Sequence, residues 1–450
     1  MKSVGLLCIT MLVLCGTAYA ERTVWYVHPD SALNSIQAAL DSCADNDIVL
    51  VAPGIYHENI VWPNIQGVHL IGELGPDATV VDGDSIGRVI AIAIDVDTTT
   101  IITGFTIRNG HIPDNHGGGI HCAGASPKII DNIISSNIAW NGGGIACDWC
   151  SPLIMHNIIV DNTAIMGGGW GGGIRCIGSS ATITGNTIAN NAAANGGGGV
   201  QCLECYDSLL IIHDNIFTGN TAYAGAAICL FKSSPIFTKN QISYNIASAK
   251  GGGIFCYDES SPIIKHNTIT GNTADDGAGI YCMDSSSPAI DSCMISNNHG
   301  DGVYLQPILY GGPSCPVLHY NDIVDNEGYG VNNTDSMVFI DATYNWWGDA
   351  SGPYHPTANP GGFGDTVSDY VDFDPWLVNP GVEERSIAKP VEIHEHLTAT
   401  IFRGRLQLPA RKTCRVFDIT GRVVEPNTIT RGIYFIEIDN EIVQKVIKVR

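Results

Sequence analysis

Between residues 117 and 326 the chain states one phrase eight times, roughly G-G-G-I-x-C, then Ser-Pro, then N-x-I-x-x-N, at intervals of 25 to 29 residues. Asn132, Asn157, Asn186, Asn215, Asn240, Asn267, Cys293 and Asn321 hold one position of the phrase, and a further Asn follows each by five residues, from Asn137 to Asn326. The distance from the proline position to both Asn positions never changes, so every insertion falls around the glycines or between the glycines and the proline. Such a period defines a repeat architecture in which each unit buries its apolar face only against its neighbours. Helical repeats are excluded, because the apolar residues come in short β-branched runs such as Ile129-Ile130 and Ile263-Ile264, broken by Gly, Asn, Ser and Pro. Three short strands and three turns per unit of about 25 residues make one coil of a parallel β-helix, and coils stack about 4.8 Å apart. Equivalent residues then form columns. An Asn column at a turn is stable because the amides bond to one another and to the turn backbone, and Asn tolerates left-handed geometry.

Composition agrees. With 450 residues, 52 glycines and only 15% charged residues, the chain is long enough for an extended core and too turn-rich for an ordinary α/β enzyme. Its formal charge of -23 opposes binding to phosphate backbones, so no nucleic-acid partner is expected. Residues 1–20 read as a signal peptide: Lys2, an apolar run over residues 5–15, and Ala18-Tyr19-Ala20 before a cut near Glu21. No later run is long and apolar enough for a transmembrane helix, so the mature chain is expected to be exported without one.

Fifteen cysteines in an exported chain would ordinarily suggest disulfides. Here Cys122, Cys147, Cys176, Cys202, Cys256 and Cys282 each stand two residues after the Ile or Val of the glycine turn, with Cys229 displaced by one. Residues two apart on a strand share a face, so the expectation is a buried column of free thiols pointing with the Ile. Cys147/Cys150 and Cys202/Cys205 have zinc-like spacing, but two coils separate the pairs by about 10 Å, against the roughly 2.3 Å of a zinc ligand bond. His156 and His266 share a column four coils apart and cannot share a metal. His111, Asp114 and His116 lie together in a loop insertion that could hold a weak metal site. The glycine runs lack the Lys-Ser/Thr and the following helix of a phosphate cradle, and they are better explained by positive φ at a tight corner.

Upstream, residues 34–43 form an amphipathic pattern, with Ile36, Ala39, Leu40 and Cys43 on one face. Next come D-I-V-L-V-A-P-G-I-Y-H-E-N-I from Asp47 to Ile60 and V-H-L-I-G from Val68 to Gly72. This order resembles the opening of pectin lyase-like proteins, in which a helix caps the coil and a strand pair starts it. The repeats are similar to the right-handed parallel β-helix repeat proteins of bacteria. Together these resemblances imply an all-β, right-handed parallel β-helix of roughly 11–12 coils with an N-terminal capping helix. The segment N-W-W-G-D-A-S-G-P from Asn345 to Pro353, with V-D-F-D-P-W from Val371 to Trp376, resembles the closing segment of such coils. Trp346, Trp347 and Trp376 could lid the last coil. Asp365, Asp369, Asp372 and Asp374 form an acidic cluster whose oxygens could hold calcium; no cofactor is otherwise required.

After Pro380 the composition changes. Residues 381–390 read as a charged linker, and residues 391–450 carry R-V-F-D-I-T-G from Arg415, R-G-I-Y-F-I-E from Arg431 and a terminal K-V-I-K-V-R. This order resembles the C-terminal sorting domain of the type IX secretion system. The resemblance implies a small β-sandwich read by the outer-membrane secretion machinery, and hence a secreted or outer-surface protein. The domain plan is therefore a signal peptide over 1–20, a β-helix over 21–380, a linker over 381–390 and a sorting domain over 391–450.

Two functions fit, both for a monomer. One is a secreted or cell-surface protein that binds polysaccharide or another extracellular surface, with Trp140, Trp149, Trp170, Tyr223 and Tyr257 as stacking residues. The other is a carbohydrate-active enzyme, since folds of this class host lyases and hydrolases without conferring either chemistry. A hydrolase needs a carboxylate pair. Acids recur four residues before the proline at Asp148, Asp258 and Asp284, with Glu259 beside Asp258, and Asp258 and Asp284 belong to neighbouring coils.

Overall fold

A computed structural model describes residues 22–381, apart from 94, 166, 207–209 and 308–310, and four strands between 399 and 448. The chain winds as a right-handed solenoid whose strands stack into three long parallel sheets. Sheet I has 14 strands, from Val24–Val27 to Val371–Asp372; sheet II has 11, from Gly54–His57 to Asp322–Val324; sheet III has 11, from Ile60–Val61 to Val331–Asn333. Six coils carry a fourth strand, forming a short sheet from His111–His116 to Ile246–Lys250 between sheets II and III. One such coil runs Lys128–Ile130, Ile133–Ser135, Ile138–Asn141 and Ile145–Asp148. The spacing predicts three strands per coil; the fourth forms because the run before the glycines is extended and finds partners on both sides.

The strands of sheets I and II are mostly three residues long, so the middle residue points inward. Ile129, Ile154 and Ile183 stack in sheet I, and Ile134, Ile159 and Ile188 in sheet II, all fully buried and in register. In sheet III the inward pairs are Ile and Cys: Ile120, Ile145 and Ile174 beside Cys122, Cys147 and Cys176. These thiols are free and buried, whereas Cys229 faces outward between Gln201 and Phe255. Leu230 fills the inward position it leaves.

Two-residue corners join sheet I to sheet II and sheet II to the short sheet. The first residue takes positive φ, as at Asp131 (54°) and Ser136 (56°), and the second is an inward Asn. Where the rung one coil earlier is also Asn, the Asn Oδ1 accepts hydrogen bonds from that residue's backbone N–H and amide. Asn191 N and Nδ2 thus donate to Asn220 Oδ1 at 3.0 and 3.1 Å. Asn220 Nδ2 in turn donates to the Ile188 carbonyl and to Asn245 Oδ1, both at 2.9 Å. The ladders satisfy backbone groups that the corners would otherwise bury unpaired.

Two rungs depart from Asn. Cys293 Sγ accepts the Asn267 N–H at 3.4 Å and lies 3.4 Å from the Ile264 carbonyl, a thiol doing an amide's work weakly. Cys293→Asn is expected to raise stability by about 0.5–1.5 kcal/mol, read as a higher denaturant midpoint. At the end of the second ladder Asp365 Oδ2 accepts from Asn326 N and Nδ2 at 3.2 and 2.9 Å. Burial pushes its carboxyl up to about 6 despite these bonds. Since the folded value lies above the unfolded one, its stabilising share is complete below the unfolded pKa and lost as pH rises through about 6. Asp365→Asn should remove this loss, worth up to about 3 kcal/mol, and flatten the melting temperature across that range.

The capping helix is expected over residues 34–43 and spans Ile36–Ser42, with Ser35 as N-cap. Glu58 from the following strand pair closes its N-terminus, accepting from Ile36 N and Gln37 N at 2.8 Å each. Asp47 ties the other end, accepting from Thr23 N, Trp25 Nε1 and Ala44 N. At the far end Trp347 is wholly buried in the core and Trp376 packs against it, while Trp346 is half-buried. No described helix is long and apolar enough to cross a membrane. Residues 1–20 and most of the linker lie outside the described residues. In the C-terminal region Ala399–Phe402, Cys414–Asp418, Gly432–Ile438 and Glu441–Lys448 form a sheet of four strands.

Candidate functional site

The glycine corner brings the chain into sheet III against the backbone of the next coil: a Cβ on Gly143 would lie 2.6 Å from the carbonyl oxygens of Thr163 and Gly172. After it, the Ile and Cys of G-G-G-I-x-C point inward, so the residue between them points outward. That one position reads His121, Ala146, Arg175 and Gln201 in successive coils, then Cys229, Phe255, Tyr281 and Tyr304. The outer face of sheet III is therefore polar and charged over its earlier coils and aromatic over its later ones.

The charged part converges on Asp148. Its Oδ2 lies 2.9 Å from His121 Nε2 and 3.1 Å from His116 Nδ1. Its Oδ1 lies 3.5 Å from Arg175 Nη1. Arg175 Nη1 is 3.0 Å from His116 Nδ1, and Arg175 Nε donates to Gln201 Oε1 at 3.3 Å. Ala146, between His121 and Arg175 in the column, is small enough to let Asp148 reach both. His116 enters from the last residue of the strand His111–His116, just before the corner. Arg88 lies within electrostatic reach of Asp148, and its Nε is buried without a hydrogen-bond partner, as is Asp148 Oδ1. Burial alone would raise the Asp148 pKa, but the bonds from His116 and His121 prevail and hold it well below the usual carboxylate range.

His116, His121 and Asp148 place their ligand atoms within 4.8 Å of one another, as a metal site would. Charge argues against a cation. One carboxylate faces two guanidinium groups, so the cluster is net positive before either imidazole is protonated, and it suits an anion. The second group of that geometry, His57, Asp82 and Asp84, is already committed: both Asp82 oxygens accept from Asn109, and one also from Arg108.

Of the acids singled out in the sequence, Asp148 stands at the centre of this cluster. Asp258 pairs with Lys232 Nζ at 3.5 Å, Glu259 is exposed and Asp284 is buried. Asp148 is a strand residue in register with Ile177, whereas Asp258 and Asp284 follow their strands at positive φ. Trp170 and Tyr257 pack on the aromatic half of sheet III. Trp140 and Tyr223 are exposed on the short sheet, and Trp149 is exposed beyond the end of its strand. Among the acids of the closing segment, Asp365 ends an Asn ladder, Asp369 pairs with His355 Nε2 at 3.2 Å, and Asp372 and Asp374 are exposed. None of the four belongs to a metal-sized group among the described residues. His121, Arg88 and the role of Arg175 are not singled out by composition or motif; the signal that carries two of them is the variable letter of G-G-G-I-x-C.

Fold and site define a right-handed parallel β-helix with a guanidinium, imidazole and carboxylate cluster on the outer face of one sheet. The family model "Right handed beta helix region" matches residues 81–242 and 198–345, together more than half of the chain, and the protein belongs to that family. No curated protein matches. Among solved structures the chain is similar to the periplasmic alginate epimerase AlgG, with 15% identity over 74% of this chain and 75% of that one and a TM-score of 0.40.

Proposed function

We propose that the protein is an exported polysaccharide lyase acting on a uronate-bearing polysaccharide laid along sheet III. The observation that carries this is the convergence of Arg88, Arg175, His116 and His121 on a single carboxylate, Asp148, in a chain of net charge -23. Arg88 and Arg175 receive the uronate carboxylate and offset the charge that grows when the neighbouring carbon loses its proton. His116, the more open imidazole at 29% side-chain exposure against 12% for His121, takes that proton while Asp148 fixes its orientation through Nδ1. The C5–H electron pair forms the C4–C5 double bond, the C4–O bond breaks, and the same imidazole returns the proton to the leaving oxygen. Hydrolysis would need a second carboxylate across the bond, and the cluster holds one.

Export through residues 1–20 and the 391–450 region belongs to the same proposal and places the substrate outside the cell. The test is incubation of the full chain with polygalacturonate, alginate and glucuronoxylan, watching for ultraviolet-absorbing unsaturated ends. Products that Asp148→Asn abolishes support the reading. Binding without unsaturated products would leave a surface-binding protein, and products unaffected by Arg175→Gln would remove the cluster from the chemistry.

A further inference from the structure

The aromatic half of sheet III differs in charge from the half that holds Asp148. Tyr281 and Tyr304 stack with ring centroids 5.0 Å apart, Phe255 lies 5.4 Å from Tyr281, and Tyr257 lies 5.1 Å from Phe231. Phe255 and Tyr281 are buried floor, while Phe231, Tyr257 and Tyr304 remain half-exposed. Acids flank this strip along both edges: Asp258, Glu259 and Asp284 follow the strands, and Asp276 and Asp301 precede them. Burial first, then Tyr304, Asp276 and Asp284 among others, raise the Tyr281 phenol, so acids on both edges act on one ring. Two lysines offset part of this charge but not all of it, since five acids face them, and Lys232 Nζ also lies 5.6 Å over the Phe231 ring. Lys232 pairs with Asp258, and Lys250 donates to Gln306 Oε1 at 2.8 Å and lies 5.2 Å over the Tyr281 ring. Tyr281 Oη also donates to Gln306 Oε1. The strip therefore offers ring faces for sugar C–H groups and carboxylates for hydroxyls, and it repels carboxylates.

We infer that the substrate is a heteropolysaccharide, with a uronate at Arg88 and Arg175 and neutral sugars on the strip of Phe231, Tyr257 and Tyr304. This rests on the anion-binding reading of the Asp148 cluster. Arg175 and Tyr281 are four register steps apart, or about 19 Å at the usual strand spacing, a span of several sugar units. A polymer of uronate alone would set a carboxylate against Asp276 or Glu259 in each such span, and this repulsive element gives the selectivity.

The test is calorimetric titration of the full chain with two probes of equal length: oligogalacturonate, charged at every unit, and a xylo-oligosaccharide with one glucuronate branch. The mixed probe is expected to bind roughly tenfold more tightly. Tyr304→Ala should lower its affinity roughly tenfold and oligogalacturonate affinity much less. Asp276→Asn with Glu259→Gln should raise oligogalacturonate affinity, a gain that structural damage would not produce. Equal or tighter binding of oligogalacturonate by the unmodified protein, or equal effects of these variants on both probes, overturns the inference. Arg175→Gln separates the two readings. If it weakens both probes, the anion site stands whatever the strip does; if it weakens neither, that reading falls and this inference with it.

Discussion

Asp148→Asn is expected to lower the rate of unsaturated-product formation by about 100- to 10,000-fold, the range for losing a positioned acid–base partner. The amide keeps the shape of the carboxylate and can still accept one hydrogen bond. It no longer carries the charge that both imidazoles and Arg175 face, at 2.9, 3.1 and 3.5 Å. His116 would lose the charged group that orients it, and Arg175, whose side chain is 8% exposed, would lose its counter-charge. Leaving a buried guanidinium unpaired costs stability as well, about 3–5 kcal/mol where no water reaches it. A melting curve must therefore accompany the kinetics. His116→Gln supplies the cleaner arm, since His116 is the more open residue: its expected signature is lost turnover with near-normal binding and melting. Arg175→Lys keeps the charge without the planar fork, so it should weaken substrate binding by more than a conservative exchange suggests. Full activity in Asp148→Asn would show that the chemistry lies elsewhere.

The second large effect is on the scaffold. Asn220→Ala is expected to cost about 3–5 kcal/mol, because it leaves the Asn191 N–H buried without a partner, removes the amide bond to the Ile188 carbonyl and cuts the amide chain on both sides. Tyr223→Ala, three residues away on an exposed face, should change stability by less than about 0.5 kcal/mol. Denaturant unfolding of the two variants measures the contrast. A small loss in Asn220→Ala would mean that water enters the corner and replaces the amide.

The scaffold was readable from the chain because its rules are local and recur. A two-residue corner demands a residue that accepts positive φ and then an inward amide, and the spacing of Asn132 to Asn137 repeats that demand coil after coil. The inward Ile and Cys positions follow from alternation along one strand. The capping segment was legible as a motif, though only the structure explains its acids: Asp47 and Glu58 bond to backbone N–H groups around the helix. The fourth strand was not legible: it starts directly after the second Asn of each coil, at Ile138, Thr163, Ala192, Thr221 and Ile246, but the stretch from there to the glycines varies in length and composition. The site was harder still. His116 and Arg175 are 59 residues apart in sequence yet 3.0 Å apart in space. Their meeting depends on which coil each occupies and on the reach of His116 around a corner, neither of which the repeat encodes. Asp148 stood out as an acid before a proline, but its grouping with Asp258 and Asp284 reflects loop length, not register.

The fixed corners also make the molecule a ruler graduated in whole coils. Insertions are admitted around the glycines and before the proline but not at the Asn corners, so the chain lengthens sideways without changing its axial step. The separation between Arg175 and Tyr281 can therefore change only by adding or removing complete units, each moving the two ends by about 4.8 Å. Under the proposed function, a lineage of such proteins could retune the length of polymer it reads by duplicating or deleting one repeat, while the cluster around Asp148 stays untouched.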